Sequence, residues 1–137
     1  MVRELVHDPI FLAGKAREAT AADLGAARDL MDTLLHHREE CVGMAANMIG
    51  VQRRIIAVAD GAGYRLMLNA EILHRSKPYE TEEGCLSLLG GPRRTTRYEK
   101  IRVRWQNTDF VWQEADFSGF TAQIIQHEID HCNGILI

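Results

Sequence analysis

The chain has 137 residues, of which 46% are hydrophobic and 26% are charged, a composition typical of a globular protein with one core. Sixteen basic and nineteen acidic side chains give a net charge of −3 at pH 7, which argues against nucleic-acid binding through a basic surface. No apolar run approaches the ~20 residues that a membrane-spanning helix needs. The acidic residues near the start of the chain are not expected in a signal peptide. We therefore expect a single domain over residues 1–137, without direct nucleic-acid binding or membrane insertion.

The sequence contains three cysteines, Cys41, Cys85 and Cys132. An odd number without close pairing argues against a disulfide framework. We therefore expect free thiols and a reducing, cytoplasmic location.

The first predicted helix follows Thr20, with Asp23 at the acidic position of a capping box. Its apolar stripe has helical spacing and comprises Leu24, Ala27, Met31, Leu34 and Leu35. We expect this helix to pack on the core through that stripe.

Strands are predicted at residues 54–59, 64–73, 101–105 and 110–115, with turns at 60–63 and 107–109. The last predicted element is a helix from about Ser118 to Cys132, ended by Asn133-Gly134. Strands that are followed by a helix, and do not alternate with helices, predict an α+β fold with antiparallel pairing.

The final predicted helix carries the pattern H-E-x-x-H at residues 127–131. His127 and His131 lie one turn apart on one face, so both imidazoles can bind the same metal ion. Glu128 can then act as a general base toward a water molecule on that ion. Apolar residues share this face, and burial of two histidines and a glutamate would be costly without a metal. The alternative is a chance match on a solvated helix.

A third ligand is needed because catalytic centres of this kind usually combine three protein ligands with water. Ile137 stands where an extended protease motif places a histidine, and only six residues follow His131, so we expect this ligand upstream. Cys85 is the best source because it follows a glycine in a predicted loop. Cys132 points roughly 100° away from its neighbour around the helix, and Cys41 lies against a glycine-rich turn. Both are expected to be small buried residues.

Three segments are distinctive when they are taken together. They are CVGMAANM at residues 41–48, EGCLS at 83–87 and HEIDH at 127–131. Their order and spacing are similar to the motifs G-x-G-x-A-A-x-Q, E-G-C-L-S and H-E-x-D-H of the peptide deformylase family. The similarity covers nearly the whole chain. The resemblance implies a deformylase-like α+β fold, in which antiparallel sheets surround a central helix that carries the H-E-x-x-H motif.

The resemblance implies a hydrolase that removes the formyl group from the N-terminal formylmethionine of nascent polypeptides, which it would meet at the ribosome. It also implies one divalent metal, natively Fe²⁺ in many members, with Zn²⁺, Ni²⁺ or Co²⁺ as substitutes. In this family the metal ligands correspond to Cys85, His127 and His131. Glu128 is then the acid/base, and the backbone N–H of Leu86 stabilises the oxyanion.

Substrate contacts are implied for the glycine–alanine segment, for the residue before the ligand cysteine and for one arginine. The corresponding residues are Val42, Gly43, Met44, Met48, Gly84 and Arg97. A solvated surface charge is the alternative for Arg97.

Three departures from the family pattern stand out. Met48 replaces a glutamine whose amide donates to the oxyanion, and a thioether donates nothing. The loss of one such donor lowers the rate by roughly 10²–10³ in a comparable hydrolase. Asn47 has an amide but is one position off and shorter, and Cys41 replaces the first glycine. The end of the chain six residues after His131 leads us to expect a short or absent C-terminal element.

Three hypotheses follow for the activity. We favour an active deformylase with a modified oxyanion hole. The alternatives are a relative that acts on another N-acyl or amide substrate, and a metal-binding relative that is catalytically weak because of Met48. Outside this family, a zinc endopeptidase is disfavoured by Ile137 and by the lack of a downstream glutamate.

Overall fold

The computed structural model describes residues 1–61 and 63–137. Within these residues, five strands form one antiparallel sheet in sequence order. The strands are β1 (Gly43–Ala45), β2 (Ile55–Asp60), β3 (Gly63–Cys85), β4 (Leu88–Gln106) and β5 (Trp112–Ser118). The helices are α1 (Pro9–Leu12), α2 (Leu24–His36) and α3 (Gly119–Cys132). The α+β class and the antiparallel pairing are confirmed. The turn predicted at 60–63 includes Ala62, which lies outside the described residues.

The capping box predicted before α2 is present. The N–H of Thr20 donates to the Asp23 carboxylate at 2.8 Å. A backbone hydrogen bond from the Asp23 N–H to the Thr20 carbonyl at 2.9 Å closes the same turn. The predicted stripe is only partly correct, because Leu30 is fully buried whereas Leu35 is half-buried. The buried residues of α2 are Ala27, Leu30, Thr33 and Leu34.

The sheet lies between α2 and α3 because side chains alternate along β2. Ile55 and Ala57 pack in the cluster that contains the buried leucines of α2. Ile56 and Val58 pack in the cluster that contains the isoleucines of α3. The period of two along a strand therefore assigns each helix its own face of the sheet.

The hairpin of β3 and β4 is much longer than the sequence pattern predicts. Its pairing runs from Leu68 opposite Gln106 to Cys85 opposite Leu88, with register shifts at three points that interrupt the regular pleat. The last of these shifts lies between Glu83 and Cys85. The hairpin tip therefore carries Cys85 toward α3.

Helix α3 begins after Ser118 and is followed by Gly134 at φ +77°. A Cβ on Gly134 would lie 2.3 Å from the carbonyl oxygen of Ala13, so only glycine permits this close approach. The N–H of Ala16 also donates to the carbonyl of Cys132 at 2.8 Å. The N-terminal segment therefore fixes the end of α3. Among the described residues, no helix has both the length and the apolar character needed to cross a membrane.

Candidate metal centre

The tip of the β3–β4 hairpin and one face of α3 bring three predicted ligands together. A ligand atom from each of Cys85, His127 and His131 lies within 4.8 Å of the others. One thiolate and two imidazoles form a donor set that suits Zn²⁺ or Fe²⁺. The residues present therefore fit a single metal ion.

Each imidazole has one nitrogen held by an acceptor. Nδ1 of His127 lies 2.7 Å from Oε1 of Glu83, and Nε2 of His131 lies 3.0 Å from the carbonyl oxygen of Ile137. Acceptors of this kind fix the orientation and tautomer of metal-binding histidines. The other nitrogen of each ring is left available to a metal.

Glu83 belongs to a buried ion-pair network behind His127. Its carboxylate accepts hydrogen bonds from Arg97 at 2.7 Å and from Gln123 at 2.8 Å, while Arg97 also binds Asp130 at 2.6 Å. Burial would raise the pKa of Glu83, but His127, Arg97 and Gln123 outweigh it and lower this pKa to about 2. Glu83 is therefore a full negative charge beside the imidazole.

Both predicted roles of Arg97, a substrate contact and a solvated surface charge, need correction. Its side chain is 4% exposed and its guanidinium is engaged by Glu83 and Asp130. It is therefore neither a solvated surface charge nor placed to contact a peptide in the cleft. Its geometry is that of a residue that positions Glu83.

The three thiols differ sharply in acidity. Burial would raise the pKa of Cys85, but the imidazoles of His127 and His131 lower it to about 7. Burial raises the pKa of Cys41 and of Cys132 to about 12. Cys85 is therefore the thiol that ionises most readily, as a metal ligand requires.

Glu128 is buried beside the ligands, on the wall of a cleft of about 510 Å³. Its Oε1 lies 3.3 Å from Nδ1 of His131 without the alignment of a hydrogen bond. A Cβ on Gly43 would lie 2.9 Å from its Oε2, so the absence of a side chain at that position makes room for the carboxylate. The carboxylate is therefore free to exchange a proton with a molecule in the cleft.

Most residues predicted to contact substrate line the same cleft, namely Val42, Gly43, Met48 and Gly84. Met44 does not, because alternation along β1 turns its side chain into the core beside α2. Leu86 also lines the cleft, and its N–H has no hydrogen-bond acceptor among the described residues. This N–H is therefore an available donor.

Three side chains at or next to the departures from the family pattern make the following contacts. Met48 is 1% exposed, and its Sδ lies 3.9 Å from Sγ of Cys85. The Asn47 amide donates to the carbonyl of His131 at 3.1 Å, so it cannot replace the missing glutamine. The thiol of Cys41 donates to the carbonyl of Gly43 at 2.8 Å, at the edge of the cleft.

Comparison with known proteins now defines the family. The family model for polypeptide deformylase matches residues 4–137. The chain belongs to this family. It is 50% identical to the peptide deformylase of Clostridium beijerinckii over 137 residues, which are 100% of both chains. It is also 34% identical to the peptide deformylase of Thermotoga maritima over 134 residues, 95% of this chain and 80% of that protein.

Solved structures of peptide deformylases show the same fold. The Thermotoga maritima enzyme matches with a TM-score of 0.88 and 31% identity, over 99% of this chain and 94% of that chain. An Acinetobacter baumannii enzyme with Met-Ala-Ser bound matches with a TM-score of 0.89 and 29% identity, over 99% of this chain and 96% of that chain. The predicted family, fold and enzyme class are confirmed, and the hypothesis of a different acyl substrate is not favoured.

Sequence reasoning missed the residues that hold the ligands in place. Glu83 lies in the recognised EGCLS segment, and a carboxylate two residues from a ligand cysteine is a signal that could have identified it. Gln123 and Asp130 flank His127 on α3 at i−4 and i+3, and this spacing places them near its ring. Asn47 gave no such signal, because its partner is the backbone of a distant helix.

Proposed function

We propose that this chain is a metal-dependent peptide deformylase, which hydrolyses the formyl group from the N-terminal formylmethionine of nascent polypeptides. The observation that carries the proposal is the convergence of ligand atoms from Cys85, His127 and His131 within 4.8 Å of one another, with Glu128 beside them on the wall of the cleft. The relatives named above are peptide deformylases, and one of them was solved with Met-Ala-Ser bound, a tripeptide that begins with methionine.

Cys85, His127 and His131 would hold one divalent cation. We propose Fe²⁺ as the native ion and Zn²⁺, Ni²⁺ or Co²⁺ as substitutes, since a sulfur and two imidazoles suit each of them. When bound, such a cation supplies Lewis acidity, which lowers the pKa of a water molecule and polarises a carbonyl group.

Glu128 moves the proton in this scheme. Its carboxylate, on the wall of the cleft, would accept a proton from the attacking water and deliver it to the nitrogen of the leaving amine. The N–H of Leu86 donates to the oxyanion that develops on the formyl oxygen. Met48 adds no donor there, so the oxyanion has one protein donor fewer than the family motif provides.

Peptide binding is proposed along the edge of β1. This strand is the first of the sheet. Gly43 begins it, Val42 precedes it, and both residues line the cleft. Gly84 lies across the cleft near the end of β3. An extended peptide can pair with such an edge through its backbone. The apolar surfaces of Phe120 and Ile124 line the same cleft and suit a methionine side chain.

The proposal extends to the cellular setting. Cys41, Cys85 and Cys132 are all free thiols, which suits a reducing cytoplasm. Formylated nascent chains at the ribosome would be the partners. We also propose that residues 1–137 form a single domain.

Formate release from formyl-Met-Ala-Ser tests the function. Protein loaded anaerobically with Fe²⁺ or Co²⁺ should release formate. Glu128→Ala should retain its metal and lose turnover, because the proton carrier is gone. Glu18→Ala, an exposed carboxylate outside the cleft, is the matched control and should match wild type.

Two outcomes would contradict this proposal. Fully metallated protein that releases no formate would leave only a metal-binding relative. Faster hydrolysis of acetyl or propionyl peptides than of the formyl peptide would favour another acyl substrate.

A further inference from the structure

A second sulfur atom lies beside the three ligands of the proposed metal centre. Sδ of Met48 is 3.9 Å from Sγ of Cys85. Met48 lines the main cleft together with Cys85 and His127, and it lines a small adjoining cavity together with Cys85 and His131. Met48 therefore contacts one ligand and lines both cavities that the three ligands line.

The backbone fixes Met48 in this place. It lies in a 3₁₀ turn, Ala46–Ile49, which ends at Gly50 with φ +87°. The carbonyl of Met48 accepts a hydrogen bond from the N–H of Val6 at 2.8 Å. Asn47, the preceding residue, binds the carbonyl of His131 at 3.1 Å. The turn that carries the thioether is thereby tied to the helix that carries the histidines.

The separation of the two sulfur atoms suits ligands of one ion. Two sulfur ligands about 2.3 Å from a tetrahedral ion lie about 3.8 Å apart, and the observed separation is 3.9 Å. Thiolate and thioether are soft donors, and they favour Cu⁺ because it is a softer ion than Fe²⁺ or Zn²⁺. The replacement of glutamine by Met48 therefore brings a soft donor next to the centre, beyond removing an oxyanion donor.

We propose that Met48 adds its thioether to Cys85, His127 and His131, which together form a four-donor site for a soft monovalent cation such as Cu⁺. The inference rests on the proposed function, because it uses the same three ligands. A fourth protein donor fills the position that catalytic centres keep open for water. The copper-loaded protein should therefore release no formate, while Fe²⁺ or Zn²⁺ leaves that position open.

Copper affinity tests this proposal with a matched pair of variants. Met48→Leu removes the thioether and nearly conserves volume. Met44→Leu makes the same change at a fully buried methionine that does not line the cleft. Anaerobic titration of Cu⁺ against a chromophoric chelator should show that Met48→Leu binds Cu⁺ about tenfold more weakly or worse. Loss of a residue that supports a metal site typically lowers metal affinity by about this factor. Met44→Leu should match wild type.

X-ray absorption of the copper-loaded protein gives a second measurement. Wild type should show two sulfur neighbours of copper and Met48→Leu one. Cys41→Ser should keep both, which excludes the third sulfur at the cleft. A single sulfur neighbour in wild type, or equal copper affinity in wild type and Met48→Leu, would overturn the inference.

Zn²⁺ affinity, measured on the same samples, separates the two proposals. Similar Zn²⁺ binding in wild type and both methionine variants, with copper affinity lowered only in Met48→Leu, supports the inference. Normal Zn²⁺ binding with a copper affinity that does not depend on Met48 overturns only the inference. Failure of the wild-type protein to bind Zn²⁺ would contradict the proposed hydrolase centre, even if Cu⁺ affinity depends on Met48.

Discussion

Oε1 of Glu83 lies 2.7 Å from Nδ1 of His127, and this contact joins the hairpin tip to α3. The carboxylate is two residues before Cys85 on the strand, so it ties the thiol and the imidazole to one rigid unit. Arg97 binds the same carboxylate through Nη2 at 2.7 Å. The orientation of His127 therefore depends on an ion pair behind it.

Glu83→Gln tests this dependence. Glutamine keeps a similar shape but removes the negative charge that binds Arg97 and supports His127. We expect metal affinity to fall by about 10–100-fold, as for other partners of metal-binding histidines. Chelator competition for Zn²⁺ measures this change. Glu80→Gln, an exposed position on the same strand, should leave the affinity unchanged, and equal losses in both variants would contradict the role of Glu83.

Gly43→Ala tests the space that Glu128 occupies. The added Cβ would lie 2.7 Å from Cγ2 of Ile124 and 2.9 Å from Oε2 of Glu128, so both side chains must move. A displacement on the order of 1 Å lowers turnover by about 10²-fold, and we expect a loss of kcat for formate release of that size. Zn²⁺ affinity should change little. Gly25→Ala, where a Cβ meets nothing within 4 Å, is the control, and a fully active Gly43→Ala would refute the argument.

The predicted site residues that the structure brings together depend on local spacing. His127 and His131 are one helical turn apart, so the pattern alone places them on one face of α3. Glu128 follows directly from the same pattern. The prediction of Cys85 as the third ligand depended on excluding the other two thiols. The burial of Cys132 against the sheet agrees with that exclusion.

The parts that the sequence did not predict depend on distant pairing. Beyond Leu73, β3 is mostly exposed, so no apolar alternation marks the rest of the long hairpin. Arg97 is buried only because the hairpin brings Glu83 to it from 14 residues away and α3 brings Asp130 from 33 away. A charged residue gives no local sign of such partners. Met44 was misplaced because the family motif covers consecutive residues and does not distinguish those that face the cleft from those that face the core.

Met48→Gln tests whether a missing oxyanion donor limits the rate. Glutamine restores the side-chain amide of the family motif, and one such donor changes the rate by roughly 10²–10³. We expect kcat for formyl-Met-Ala-Ser to rise by about two orders of magnitude. Met48→Leu separates volume from donation and should stay near the wild-type rate with Fe²⁺ or Co²⁺. No increase in Met48→Gln would mean that the site compensates for the missing amide.

Arg97→Met tests the buried ion pairs. The variant leaves the carboxylates of Glu83 and Asp130 without their cation, and the loss of one partner of a buried pair lowers stability by about 3–5 kcal/mol. Urea unfolding of the metal-free protein measures this change. Arg102→Met is the control, because Arg102 pairs with exposed carboxylates and such pairs contribute about 0–1 kcal/mol. Equal losses in the two variants would contradict the assigned role of Arg97.

Thiol alkylation tests the assignment of Cys85. Its pKa is lowered to about 7, whereas burial raises that of Cys41 and of Cys132 to about 12. Because the thiolate is the reactive form, iodoacetamide at near-neutral pH should label Cys85 first in metal-free protein. Lowering the pH by about one and a half units should slow this labelling by about an order of magnitude, since protonation removes the thiolate.

Bound Zn²⁺ should protect Cys85 in the same assay, because a coordinated thiolate no longer attacks the reagent. Peptide mass spectrometry assigns each label to its cysteine. Cys41→Ser should leave the labelling rate of Cys85 unchanged, both with and without Zn²⁺. This result would show that the cleft-lining Cys41 does not contribute to the measured labelling. First labelling at Cys41 would contradict the order of the thiol pKa values. Labelling of Cys85 that Zn²⁺ does not slow would remove Cys85 from the ligand set, because a thiolate bound to the ion does not react freely.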